Sequence, residues 1–285
     1  MRLLFKSQGF IEGYTSIVTP QNSPLKHISF GRLQLRQGGR YREATGENEV
    51  VLDILAGLCD MEVAFEGQTF AYSSLGGRAD VFDGNPTLLC LPPGATYEIM
   101  AISSLLDIAV SAAPAPPGKG PTLIKPEEGE MRLVGAGNWE RIVRLGTVGK
   151  GGTRRLMVGE TVNRPGCWSS FPPHKHDEDK PGKEVAMEEV YFYVIRPRCG
   201  FGVQCLYDPP DVPDRLEEAF IVHDGDTVVF PRGYHPVVAA PGYRLCYVWV
   251  LYAEEEAYGS EAWTYDPDHI WLRDVEAMLK WPPFQ

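Results

Sequence analysis

The chain has 285 residues, enough for two domains of ordinary size or one large one, with 44% hydrophobic and 23% charged residues. That balance describes a globular chain, because it carries enough apolar surface to offset the entropy of ordering. Asp and Glu number 38 against 27 Lys and Arg, a formal charge of −11, so the basic stripe that binds nucleic acid or an anionic membrane is missing and neither is expected as a partner.

At the N-terminus, Met1 to Lys6 runs into Ser7, Gln8 and Gly9 before an apolar segment of signal-peptide length has formed, which predicts a cytoplasmic location. Thirty Gly and 24 Pro punctuate short apolar runs of strand length and composition. In the first part these runs are Val50 to Leu55, Gln68 to Tyr72, Thr87 to Leu91 and Leu105 to Val110. From Ser111 to Glu130 five prolines and three glycines interrupt any periodicity. The expected division is therefore a first domain over 1–112, a Pro-rich linker over 113–130 and a second domain over 131–285. Strands are expected again at Val190 to Ile195, Val203 to Leu206, Thr227 to Phe230 and Leu245 to Leu251, all too short to span a bilayer. Only Asp268 to Leu279 reads as helix, with Ile270, Val275, Met278 and Leu279 mostly on one face. A faint internal repeat aligns the segment from Gly84 to Tyr97 with that from Gly225 to His235: each is a turn, a strand, then a Pro-x-Gly turn. Six scattered cysteines show no CxxC spacing and give little support to a disulfide or structural zinc framework.

Five of the six histidines lie in the second block, and three of them, His174, His176 and His235, sit within a short span of it. In His174-Lys175-His176 the two imidazoles point the same way if the segment is extended, and Pro172 and Pro173 disfavour a helix there. Glu188-Glu189 opens the run Val190-Tyr191-Phe192-Tyr193-Val194, where alternation puts Glu189, Tyr191 and Tyr193 on a polar-tipped face and Glu188, Val190, Phe192 and Val194 on the other. Glu189 is thus the better ligand candidate of the two. His235 follows the Pro231-Arg232-Gly233 turn, which can return it to the same cavity. An isolated His-x-His is more often a surface pair than a metal site, but three imidazoles and one carboxylate on one ion would leave coordination positions open, as catalytic rather than structural sites do.

His-x-His, a Glu opening a strand, and Gly-Asp-x4-Pro-x-Gly-x-His in that order resemble the two motifs of the cupin superfamily. The stretches Pro172 to Asp177, Glu188 to Tyr193 and His223 to Pro236 are similar to those of the bacterial 5-deoxy-glucuronate isomerases of myo-inositol breakdown, most strongly over 155–255 and more weakly over the rest. The 12 residues between His176 and Glu189 depart from the shorter cupin spacer and read as a polar hairpin loop. The resemblance implies an all-β bicupin of two β-barrel or jelly-roll domains with few helices and a C-terminal helix. It implies His174, His176, Glu189 and His235 as ligands of one divalent ion per chain (zinc, manganese or iron), and a first domain without metal ligands.

It further implies an aldose–ketose isomerisation of 5-deoxy-glucuronate to 5-dehydro-2-deoxy-gluconate, with the ion as Lewis acid and a nearby base moving a proton between C1 and C2. Tyr193, Tyr191, Glu188, Lys175 or bound water are the candidates for that base. Arg164, Arg232 and Arg155 are the candidates to anchor the substrate carboxylate, since forked donors suit it. His223, His27 and His269 read as structural, and Trp168 and Trp249 as core-filling. The same ligand set on the same fold also serves iron-dependent dioxygenases, and a non-catalytic carbohydrate-binding cupin is the third reading. The partner is a small sugar acid; subunit number is not fixed, and a homo-oligomer is compatible with the sequence.

Overall fold

Almost every short apolar run bounded by Gly or Pro forms a strand in the computed structural model, which describes residues 2–255, 257–258 and 262–280. A six-stranded sheet runs in the order Thr122–Ile124, Thr87–Leu91, Asn48–Ala56, Leu105–Pro114, Ser29–Arg36, Gly13–Val18. It faces a four-stranded sheet ordered Arg40–Ala44, Thr96–Ala101, Leu58–Phe65, Gln68–Gly76. The space between these two sheets is filled by Leu33, Leu52, Ile54, Met61, Leu89 and Ile108, so the first barrel is closed by its own side chains. The second barrel repeats the plan with a seven-stranded sheet: Leu4–Phe5, Thr227–Phe230, Glu188–Arg196, Arg244–Tyr252, Leu156–Asn163, Arg141–Arg144, Met131–Val134. Opposite it stand Trp168–Ser169, Val237–Ala239, Gly202–Tyr207 and Glu217–Val222. The architecture is the all-β bicupin expected.

The two large sheets pack back to back. Alternation sends Phe30, Val51, Leu88 and Ala109 of one and Val190, Phe192, Val248 and Val250 of the other into a single core, with the Phe30 and Phe192 rings 5.6 Å apart. Carboxylates tie the halves together at matching places. Glu49, near the start of its strand, accepts the backbone N–H groups of Arg154, Arg155 and Leu156 at 2.6–2.9 Å. Glu188, at the start of its own, accepts those of Lys26, His27 and Ile28 at 2.6–3.2 Å. Each gives buried backbone donors the partner they would otherwise lack.

A charged cluster is buried in the same interface. Glu160 is fully buried and takes Arg78 Nη2 at 2.5 Å and Arg144 Nη1 at 2.7 Å, while Arg78 Nη2 also reaches Asp53 Oδ1 at 3.2 Å. Burial, and then the proximity of Glu160, pushes the Asp53 carboxyl well above the usual carboxylate range, and its Oδ2 has no partner.

Three expectations change. The stretch 113–130 is not structureless: Leu105–Pro114 runs into it, and Thr122–Ile124 covers the edge of the first barrel's large sheet by pairing with Thr87–Leu91. The prolines at 116, 117 and 121 fall between these strands, where no ladder hydrogen bond is lost. Leu4–Phe5 pairs with Thr227–Phe230, so the chain's start belongs to the second barrel's sheet. The helix spans Leu272–Leu279 rather than starting at Asp268, because residues 267–271 form turns, and Ile270, Met278 and Leu279 lie exposed.

Replacing Glu160 by Gln strips the buried arginines of their main counter-charge and is expected to lower stability by about 3–5 kcal/mol. Asp53→Asn, at a carboxyl whose proton affinity burial raises and which makes a longer contact to Arg78, is expected to stay within about 1 kcal/mol of the parent. Urea-unfolding midpoints of the two variants check the contrast; equal losses would contradict it.

Candidate metal centre

The inner face of the seven-stranded sheet is the opposite of its back. On Glu188–Arg196 the inward residues are Glu189, Tyr191 and Tyr193; register places Glu189 beside Leu251, Tyr191 beside Trp249 and Tyr193 beside Tyr247. The next strand sets Thr161 against Tyr247, and Gly159 against Trp249. Gly159 is needed there, since a Cβ would lie 2.2 Å from the Trp249 ring. Glu189, Tyr191, Thr161, Tyr247, Trp249 and Leu251 wall a cavity of about 300 Å³.

Three histidines enter it from other elements. His174 lies on the two-residue strand His174–Lys175, paired with Thr264–Tyr265, and His176 continues the alternation. His235 is swung inward by Gly233, whose φ of +90° and closeness to the Tyr207 carbonyl leave no room for a side chain. One nitrogen from each imidazole lies within 4.8 Å of the others. Glu189 Oε2 stands 3.1 Å from His176 Nε2 and 3.2 Å from His235 Nε2.

The ring tautomers follow from their partners. His235 Nδ1 donates to the Gly233 carbonyl at 3.0 Å and leaves its Nε2 lone pair facing the centre, whereas His176 Nδ1 faces the Met187 carbonyl at 3.3 Å and its Nε2 the Glu189 carboxylate at 3.1 Å, a hydrogen bond that a bound cation would replace. His235 Nε2 is buried with no hydrogen-bond partner among the described residues. Burial, then the neighbouring imidazoles, holds His174 well below the usual imidazole range; burial also holds His235 down. His176 is raised, its burial outweighed by Glu189. Two neutral imidazoles, an orphaned lone pair and a shared carboxylate oxygen form a donor set that suits a divalent cation. Tyr191 and Tyr247 complete the floor, hydrogen-bonded to Ser170 at 3.0 Å and Ser169 at 2.5 Å; burial raises both phenols, which stay protonated at neutral pH.

The four expected ligands thus converge, and Tyr191 joins them. The other expected catalytic residues do not. Glu188 lies on the back face, holding residues 26–28 and, at 3.1 Å, the His27 ring. Lys175 points away from its flanking histidines into Asp177, Glu178 and Glu184. Tyr193 is buried behind the cavity and donates to Gln204 at 2.7 Å. The three expected carboxylate anchors are also elsewhere. Arg164 pairs with Glu140 on the surface, Arg232 with Asp208 at 2.9 Å, and Arg155 with Glu254 at 3.1 Å. Counting residues from a histidine cannot give the facing of a side chain on another strand. The arginines that do line the cavity are Arg132 and Arg141, and Trp249, read as core-filling, forms part of its wall. Their only signal was alternation in Arg132-Leu133-Val134 and Arg141-Ile142-Val143, which does not reveal which face is the cavity.

Comparison with known proteins identifies relatives of the whole chain. The chain is 34% identical over 276 residues to the 5-deoxy-glucuronate isomerase of Geobacillus kaustophilus, covering 94% of each protein. The crystal structure of an IolB-like protein from Salmonella typhimurium superposes with a TM-score of 0.87 at 27% identity, covering 96% of this chain and 100% of that one. A Bacillus subtilis oxalate decarboxylase, described for its Mn(II) centres, shares the fold alone, with a TM-score of 0.64 at 11% identity over 99% of this chain and 88% of its own. The KduI/IolB family model matches residues 3–272, and the chain belongs to that family.

Proposed function

We propose that the chain is a 5-deoxy-glucuronate isomerase of inositol catabolism, converting 5-deoxy-glucuronate to 5-dehydro-2-deoxy-gluconate on a single divalent cation held by His174, His176, His235 and Glu189. The observation that carries the metal assignment is the convergence of these four side chains on the orphaned Nε2 of His235 inside the cavity. The relatives' name supplies the substrate. A cation bound there supplies Lewis acidity for a carbonyl and the hydroxyl beside it.

The isomerisation moves one hydrogen from C2 to C1 and a second from O2 to O1. Tyr191 is suited to the O-to-O transfer: its phenol stays protonated at neutral pH, and the same oxygen can donate and accept. Ser170 holds that hydroxyl in place from behind. Glu188, Lys175 and Tyr193 are set aside as bases by their positions. Trp249, Tyr258 and Trp263 wall the cavity with rings that keep bulk water from a reactive open-chain aldehyde.

The decisive experiment incubates metal-assayed protein with 5-deoxy-glucuronate under strict anoxia and follows the aldehyde proton by NMR. Loss of that signal with formation of a ketone of equal mass is expected; turnover only with oxygen would identify a dioxygenase, and saturable binding without conversion a binding protein. His174→Ala should reduce metal from about one ion per chain to near none and activity at least about 1,000-fold. Its circular dichroism should not change, because the barrel core does not depend on the ion. Tyr191→Phe should keep the metal and lower kcat about 100-fold with little change in KM.

A further inference from the structure

The outer wall of the cavity is a two-strand panel with a regular pattern. Met131–Val134 pairs with Arg141–Arg144 so that Arg132 lies opposite Val143 and Val134 opposite Arg141, and all four side chains line the cavity. The two arginines differ in how they are held. Arg132 is at the exposed edge, already paired with Glu130 at 2.6 Å. Arg141 is half-buried, and its Nη1 donates to the carbonyls of Trp139 at 3.2 Å and Phe171 at 3.1 Å. Those two bonds fix the plane of the guanidinium through one terminal nitrogen and leave the Nε–Nη2 edge without a role. Nε is buried and has no hydrogen-bond partner among the described residues. A buried charged donor without an acceptor is costly, and an Nε–Nη2 edge matches the two oxygens of a carboxylate. Glu189, the one carboxylate among the described residues that line the cavity, belongs to the histidine cluster.

We propose that Arg141 is the anchor for the terminal carboxylate of the substrate, with Arg132 at the mouth adding positive potential. The assignment rests on the isomerase reading and deepens it, fixing which end of the sugar acid faces which wall. The aldehyde end lies at the histidine cluster and the C6 carboxylate at the panel. Val134 and Val143 flank the arginines and offer no hydrogen-bond partner, which suits the unhydroxylated C5 methylene next to that carboxylate. The same arrangement argues against a neutral aldose as substrate, since it would leave the buried Arg141 edge unpaired.

The test compares 5-deoxy-glucuronate with its C6 primary amide, in the metal-loaded wild type, Arg141→Gln and Arg141→Lys, reading steady-state kinetics and, independently of turnover, binding by calorimetry. Wild type is expected to prefer the acid by about 50-fold or more in both binding and kcat/KM. Arg141→Gln should reduce that preference below about fivefold, mainly through KM, and Arg141→Lys, which keeps charge but loses the fork, should fall between them. A wild type that binds the acid selectively but does not convert it would sink the isomerase reading and leave the anchor standing. A wild type that treats acid and amide alike, or a folded Arg141→Gln that keeps the preference, would overturn the anchor.

Discussion

The structure depends on one sheet whose central strands are buried on both faces. On the side it turns to the first barrel the seven-stranded sheet is buried and mostly apolar apart from the Glu160–Arg144 cluster and Glu188, on the side it turns to the cavity it is polar, and strand alternation delivers both from neighbouring residues in turn. Glu160 and Thr161 are neighbours in sequence, yet one lies in the buried charged cluster between the halves and the other lines the cavity. Arg144 and Arg141 divide in the same way, as do Glu188 and Glu189. A one-residue slip of register would exchange these roles along a whole strand, so the two reciprocal carboxylate caps at Glu49 and Glu188 and the Glu160 cluster act on the site although none touches it.

The same caps define the internal repeat. If Glu49 corresponds to Glu188, then Val50 falls at Glu189, Leu52 at Tyr191 and Ile54 at Tyr193. Register carries the match across: Val50 pairs with Leu91 as Glu189 pairs with Phe230. Each is followed by a Pro-x-Gly turn, and the position of His235 is taken by Thr96. The first barrel therefore has a leucine-rich core where the second has its cavity, and it offers a rigid back against which the working sheet is held flat.

How much of this was legible in the sequence follows from the range of each signal. Strand runs were readable because composition and Gly/Pro punctuation are local. The four converging residues were readable because alternation fixed Glu189 over Glu188 and the motif order fixed His235. What failed was facing between strands: Arg164, Arg155 and Arg232 were sensible by distance along the chain, whereas Arg141 owes its place to pairing with Leu156–Asn163 and Met131–Val134. Nothing local announces a pairing of that kind. Lys175 failed for the opposite reason: the alternation that sends its two neighbours inward sends it out.

That outward lysine explains how a two-residue strand can carry two converging imidazoles. Lys175 sits among Asp177, Glu178 and the buried Glu184, and its ammonium takes the place that a cation would need in that acidic group. Asp177 is pushed up by burial but held below the usual carboxylate range by Lys175 and by the Gly233 N–H, which its Oδ2 accepts at 2.6 Å. Gly233 is the residue that turns His235 inward and whose carbonyl orients its ring. One chain of charge-assisted contacts therefore runs from the His174–His176 segment, through Lys175 and Asp177, to the turn that presents His235. Histidines 59 residues apart are held at a common centre from behind, by a group that never enters the cavity.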